Sequence, residues 1–350
     1  MNTGYGADGC ALAAELENIG AEVHLDPHCI GVPLPPKVAL MLARPRPDRF
    51  ELVIQHADPA SLYAHPELAR RSGAHITWTM WEFSGMRGEE FEPDLAEKIA
   101  ANDGIIGYTQ ETTDILRGYA SPDTCLTTIQ GGYDADLWKP REDDPARDWD
   151  SPTTRFGMLG SLNLRKNVWA ALEAFNGLKE TFGPEFDAEL ILKANLPGLP
   201  PQLNEYPGVT LIYEPWSHRQ IRDFYMGLHC LLAPSWGEGK NLPALEAQTL
   251  GIPVIATPCS GHMAWANPDF VYLAKSTLVE RDPNGRPGQL HHQVDVEGLA
   301  DKMWEVHTNR QEARRRGEIA SRVIPQMCDW SRVVERLGMW LDYDMVPKPR

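Results

Sequence analysis

The sequence predicts an α/β protein made of two doubly wound, Rossmann-like domains. Three observations carry that expectation. The chain has 350 residues, enough for two domains of ordinary size. Short apolar runs suited to buried parallel strands alternate with amphipathic helical stretches. The alternation pauses at a polar, acidic, proline-bearing stretch, residues 140–154, and then restarts.

In the first half, residues 8–18 read as a helix stopped by Gly20, and 22–25 as a strand. Apolar, β-branched runs at 50–54, 75–80, 104–108 and 127–130 follow as further strands. In the second half, strands are expected at 155–159, 189–194, 209–213, 229–233 and 254–256. Helices are expected at 168–181, 217–226, 243–250, 296–309 and 311–324, with a last one at 331–341. The domains are therefore 1–139 and 155–330, joined by a linker at 140–154. In such a pair, ligands sit in a cleft at the carboxyl ends of the strands.

Composition narrows the function. Charged residues make up 23 % and apolar residues 42 %, as in globular proteins, and no apolar run approaches membrane-span length. The net charge of −16 disfavours broad contact with nucleic acid, though a local basic patch could survive it. The six cysteines, Cys10, Cys29, Cys125, Cys230, Cys259 and Cys328, show no paired spacing. That argues against a zinc site and for reduced thiols in a cytoplasmic setting. No Asp-x-Asp metal motif stands in a convincing place, so metal independence is expected.

The stretch PSWGEGKNLPALEAQTLGIPVIA, residues 234–256, is the most informative in the chain. Leu231, Leu232 and Ala233 end a strand. Gly237 and Gly239 allow close backbone approach to a ligand. Asn241 is suited to cap the next helix and Pro243 to its first turn. Free N–H groups at such a helix start attract a diphosphate. Glu238 stands in the loop, and Glu246, in the helix, tilts back toward it. Read on spacing alone, this is equally an ordinary strand–loop–helix with a solvated Glu238 and an ion-paired Glu246.

The motif resembles the donor-site signature of the retaining GT-B glycosyltransferases of the family 4 type (glycosyl transferases group 1), in a compact bacterial or phage form. The resemblance runs from Thr3 to about Ile255 and implies the GT-B fold, two Rossmann-like domains across a cleft. It implies that Glu238 contacts the donor sugar and Glu246 the ribose, with Gly239, Lys240, Asn241 and Leu242 lining the nucleotide site. Lys240-Asn241 departs from the usual Phe-Gly or Phe-Ser and adds a charge near the phosphates or acceptor.

A second segment, FGMLGSLNLRKN at 156–167, is a strand running into adjacent cations. Such cations can neutralise a leaving diphosphate. In the family pattern Lys166 matches the conserved-type lysine position, Ser161 stands where an arginine is usual, and Arg165 substitutes for it. Gly160 closes this strand within the donor site. The nucleotide base is expected near Glu214 and Trp216.

On the N-domain side, Gly4, Tyr5 and Gly6 resemble the glycine loop that lies against the donor diphosphate. In the family that loop follows a first strand, which this sequence, beginning at Met1, lacks; a late start assignment or a truncated domain is the expectation. A histidine usual near Trp81 or Glu82 is absent. The resemblance allows Glu82 to take its place on a sugar hydroxyl and Trp81 to stack on sugar or acceptor, with His56 and His262 as further candidate contacts; read on the residues alone, Trp81 is equally a core side chain and His56 a structural one. Residues 131–140 resemble an interdomain hinge, and the last helix, 331–341, is expected to pack back on the N-domain.

The resemblance thus implies transfer of a sugar from a UDP- or GDP-linked donor to a hydroxyl acceptor on a protein, glycan or metabolite, with retention, no protein nucleophile and no other cofactor. Two other readings stay open: transfer to modified DNA bases, and a non-catalytic nucleotide-sugar-binding or interaction protein of the same fold.

Overall fold

The computed structural model describes residues 4–25, 36–57, 70–82, 94–195, 197–280 and 289–345. Cys29 lies outside them. Contacts divide the chain into two units. One comprises Met1–Trp81, Gly88–Ala135 and Met327–Arg350; the other comprises Glu82–Arg87 and Asp136–Gln326.

The first unit opens with helix α1 (Gly4–Asn18), then α2 (Pro36–Leu42). Four strands follow: β1 (Phe50–Ala57), β2 (Ser72–Thr79), β3 (Gly104–Gly107) and β4 (Cys125–Thr128). They form one parallel sheet in the order β1-β2-β3-β4. Short helices α3 (Leu95–Ala100) and α4 (Gln110–Arg117) provide the last two crossovers. The expected strand at 22–25 is absent. Its backbone is used otherwise: the Val23 carbonyl accepts from the Arg44 guanidinium at 2.9 Å, and Ala21 N–H returns to Leu16 of α1.

The core of this unit is aromatic. Trp78 is fully buried, donates its indole N–H to the Ile129 carbonyl at 3.1 Å, and packs near Tyr108 and Trp330. The C-terminal helix places Trp330, Val333, Val334, Leu337 and Trp340 in the same core, an i, i+3, i+4, i+7 stripe. Gly104 sits under Trp340, where a Cβ would come within 2.6 Å of the ring.

The second unit begins with the four-residue helix α5 (Ala135–Trp138) and strand β5 (Thr154–Gly160). Residues between them are pinned rather than loose. Buried Arg222 donates to the carbonyls of Leu137 at 3.1 Å and Lys139 at 2.7 Å, and pairs with Asp144. Then come α6 (Val168–Phe182), β6 (Ala188–Ala194), β7 (Val209–Ile212), α7 (His218–Gly227), β8 (Cys230–Ala233), α8 (Leu242–Thr249) and β9 (Val254–Ala256). A short helix α9 (Ser260–Met263), strand β10 (Val271–Leu273), hairpin β11 (Ser276–Glu280) and β12 (Leu290–Val294), and helices α10 (Val296–Thr308) and α11 (Arg310–Cys328) complete it. The C-terminal helix of the first unit, α12 (Trp330–Tyr343), follows.

The six-stranded parallel sheet runs β10-β9-β8-β5-β6-β7. From β5 outward, one branch is β6 then β7 and the other is β8, β9, β10. The order therefore reverses between β5 and β8, which makes their carboxyl ends a topological switch point. Val168, Ala171, Leu172, Phe175 and Leu178 give α6 its buried face against Phe156, Leu190 and Leu192. All five described cysteines are thiols, and Cys230 stands fully buried in β8, paired in register with Phe156 of β5. The antiparallel hairpin β11–β12 was not expected from the sequence; its His292 N–H donates to the Trp236 carbonyl at 2.8 Å.

Candidate active site

Two loops leave the switch point. The first, after β5, turns through a single 3-10 turn, Leu164–Lys166, before α6. The Asn163 side chain accepts from Lys166 N–H and starts that turn, so Arg165 and Lys166 are fixed in direction. The second, after β8, carries Ser235, Glu238 and Asn241 into α8. The loops are laced together: Trp236 N–H donates to the Arg165 carbonyl at 2.9 Å, and Asn167 Nδ2 to the Pro234 carbonyl at 3.1 Å.

Glu238 is the centre of the site. It is 2 % exposed, yet its carboxylate is surrounded by donors. Lys166 Nζ donates to Oε1 at 2.6 Å, Ser235 Oγ to the same oxygen at 2.6 Å, and Arg165 Nη1 to Oε2 at 2.7 Å. Burial alone would raise its pKa, but Arg165 and Lys166 outweigh burial and hold it well below the usual carboxylate range. Glu238 is therefore an anion in the resting protein. Arg165 also donates to the Gly237 carbonyl at 2.6 Å, and its Nη2 lies 2.8 Å from Glu82 Oε1. Half of the Glu82 side chain is open to water, so that contact is screened and weak beside the buried ones.

The backbone around Glu238 is held from below. Its N–H donates to Ser260 Oγ at 3.0 Å, and its carbonyl accepts from Ser260 Oγ–H at 2.7 Å and Gly261 N–H at 2.7 Å. A Cβ on Gly261 would meet the Glu238 carbonyl oxygen at 2.4 Å. Only glycine allows this approach.

Glu246 is half-buried on α8 and accepts from the Tyr225 hydroxyl at 2.7 Å. Burial, and next the Glu246 charge, push the Tyr225 phenol well above its ordinary range, so it remains a donor. Gly160 ends β5 with φ of 128°, a left-handed value that disfavours other residues. Leu242 begins α8 and Pro243 follows in its first turn. The α8 N-terminus thus faces the same loops as the two cations, and a small pocket there is lined by Lys166, Ser235, Asn241 and Pro243 over Met158 and Leu159.

Several expected positions turn out differently. Gly4, Tyr5 and Gly6 form the first turn of α1 rather than a loop before it. Asn241 does not cap α8 with its side chain; Nδ2 donates to His262 instead. His262 is wholly buried and both ring nitrogens have partners, so it offers no surface to a sugar. Trp81 is 1 % exposed and presents no open ring face for stacking. Lys240 is buried, and its carbonyl accepts from Trp265 Nε1 at 2.8 Å. His56, at the end of β1, lies 3.4 Å from the Tyr108 hydroxyl and beside Trp78, within the first unit. Glu214 is exposed and Trp216 half-buried after β7, where Lys193 Nζ lies 5.1 Å from the Trp216 ring centroid.

The sequence reading missed Ser235 as a partner of Glu238, together with Ser260, Gly261 and Tyr225. Ser235 stood inside the motif and was legible there. Tyr225 lies 21 positions from Glu246 and carried no local signal. No group of three His, Cys, Asp or Glu side chains arranged to hold a metal ion occurs among the described residues, nor does a helix long and apolar enough to cross a membrane.

Two parallel α/β sheets, the second with a topological switch point, place the chain in the class of GT-B glycosyltransferase folds. Residues 153–309, within the second unit, match the family described as Glycosyl transferases group 1. A D-inositol 3-phosphate glycosyltransferase of Xylanimonas cellulosilytica is 26 % identical over 182 residues, which is 47 % of this chain and 42 % of that protein. The protein of the same name from Nocardiopsis dassonvillei is 24 % identical over 326 residues, 84 % of this chain and 71 % of that one. Among solved structures, an Anabaena protein, HepE, in complex with UDP and glucose superposes with a TM-score of 0.59 at 14 % identity. The match covers 84 % of this chain and 78 % of that one, and shows the fold.

Proposed function

We propose that this protein transfers a sugar from a nucleoside diphosphate-sugar to a hydroxyl acceptor, with retention at the anomeric carbon. The observation that carries the reading is the cluster of Arg165 and Lys166 around buried Glu238 at the switch point, beside the N-terminus of α8. These cations already hold an oxyanion, the Glu238 carboxylate, by charge-assisted hydrogen bonds. A diphosphate presents oxygens of the same kind to the same donors and to the first N–H groups of α8.

In this reading Lys166, Arg165 and the helix N-terminus stabilise charge developing on the leaving phosphate, so no metal ion is needed. Glu238, kept anionic, accepts from a donor sugar hydroxyl. Glu246, steadied on one oxygen by Tyr225, uses the other for the ribose. The leaving phosphate takes the acceptor proton, and no protein nucleophile is required. The likeness to a protein crystallised with UDP and glucose supports a UDP-linked donor, with GDP-linked donors as the alternative. The six cysteines without paired spacing support a reducing, cytoplasmic setting.

The test is a screen of UDP- and GDP-sugars for donor hydrolysis and thermal stabilisation, with Glu246→Ala and Lys166→Ala beside the wild type. Each variant should lose turnover by at least about 100-fold, the scale of one electrostatic transition-state contact, while keeping its circular dichroism. Unchanged turnover in both would sink the assignment.

A further inference from the structure

Asn167 and Asn241 are the two non-glycine residues with positive φ among the described residues. Each stands immediately before a helix that leaves the switch point. Asn241 has φ 66° and ψ 68°, a left-handed conformation that an L side chain adopts at a cost. Asparagine bears it better than most, but it still needs a partner to hold the turn.

That partner is His262. Its Nδ1 lies 2.7 Å from the Thr257 carbonyl, which only accepts, so the ring proton is on Nδ1. Nε2 is then a bare acceptor, and Asn241 Nδ2 donates to it at 2.8 Å. The chain of contacts runs from the end of β9 at Thr257, through the buried imidazole, to the residue that opens α8. Neighbours on the same segment fix the same loop: Gly261 N–H holds the Glu238 carbonyl and Trp265 Nε1 holds the Lys240 carbonyl. Residues 257–265 therefore form a cradle whose contacts fall on 238, 240 and 241, and His262 supplies the one made to the side chain of the left-handed residue itself.

We propose that His262 is a positioning residue: by locking Asn241 in its left-handed turn, it sets the direction of the first N–H groups of α8 and so the affinity for the donor diphosphate. This rests on the donor-binding reading above. It predicts that the position tolerates loss of the tie only where the backbone no longer needs one. Glycine adopts φ near 66° freely; alanine does not.

Four variants are compared with the wild type: His262→Ala, Asn241→Gly, Asn241→Ala, and His262→Ala with Asn241→Gly. UDP and GDP binding is measured by calorimetry, and amide exchange at 241–246 is followed in the unliganded protein. His262→Ala and Asn241→Ala should each weaken nucleotide binding about tenfold, the equivalent of one left-handed alanine, and speed exchange at the helix start. Asn241→Gly should bind at least about threefold more tightly than Asn241→Ala, and adding Asn241→Gly to His262→Ala should restore binding relative to His262→Ala alone. A double variant no better than His262→Ala overturns the proposal, since a merely structural histidine is not rescued by glycine at 241. Should His262→Ala fail to fold, equal binding by Asn241→Ala and Asn241→Gly overturns it alone. If the wild type binds neither nucleotide, the donor reading fails; the exchange contrast between glycine and alanine still decides whether the lock exists.

Discussion

The two sheets of this protein come from the same sequence rhythm and end in different chemistry. In the first unit the strands lie in chain order, β1-β2-β3-β4, with no reversal among the described residues. The strand ends there are packed with rings: His56, Trp78 and Tyr108 cluster together, and the Tyr108 hydroxyl donates to buried Asp8 at 2.7 Å. In the second unit β5 is central and the order reverses beside it. The loops after β5 and β8 are laced together around two cations and a buried carboxylate. Topology opens a place for a ligand in one sheet; in the other it leaves the strand ends to the core.

That contrast can be broken most severely in the first unit. Trp78→Ala removes a fully buried ring and orphans the Ile129 carbonyl, and should destabilise by about 3–5 kcal/mol in chemical denaturation. Protein that remains folded should bind UDP or GDP as the wild type does. Loss of affinity in that folded fraction would show that the aromatic core of the first sheet belongs to the ligand site.

The second unit should respond to acid. Burial pushes His262 down to about 4, and His229 likewise to about 4, from an ordinary 6.5. As pH falls through about 6.5 the unfolded imidazoles take up protons and the folded ones do not, so stability drops until pH reaches about 4. For His262 alone the loss across that window is roughly 3 kcal/mol. Glu238 acts in the same direction lower on the scale: its contribution is intact above the unfolded carboxylate value of 4.5 and is lost only as pH falls further. Urea midpoints between pH 7.5 and 4 check this; a flat profile between 6.5 and 4.5 contradicts the buried, neutral assignment of the histidines.

The smallest change is the sharpest probe of the Glu238 loop. Gly261→Ala forces a Cβ against the Glu238 and Gly239 backbone and should cost about 1–3 kcal/mol. Because the strain falls on the loop that carries Glu238, nucleotide binding should weaken more than stability does. Wild-type affinity in this variant would mean that the loop position is not critical.

The second unit was legible in the sequence because its signals are local. Glycines, a proline and two glutamates at fixed spacing named the β8–α8 turn, and the Arg165-Lys166 pair named the β5 loop. What stayed hidden depends on residues distant in sequence. His262 is a candidate sugar contact on sequence because nothing at 262 announces that Asn241 and Thr257 enclose it. Tyr225 was invisible for the same reason. In the first unit, the strand expected at 22–25 had the right residues, but the Arg44 side chain claims the Val23 carbonyl instead. The first helix began earlier than read because Gly4 and Gly6, taken as loop formers, are tolerated in its opening turn.

Cys230, seated in β8 against β5, gives the six-stranded sheet a clock of its own. Burial drives its thiol far above the ordinary range, so in the closed sheet it scarcely ionises and no alkylating reagent reaches it. Cys10 and Cys125, in the other unit, are partly open. Pulsed alkylation followed by peptide mapping therefore times the separation of β8 from β5 directly, at the strand that delivers Glu238. A bound donor should slow that clock while leaving Cys10 and Cys125 to keep their own time.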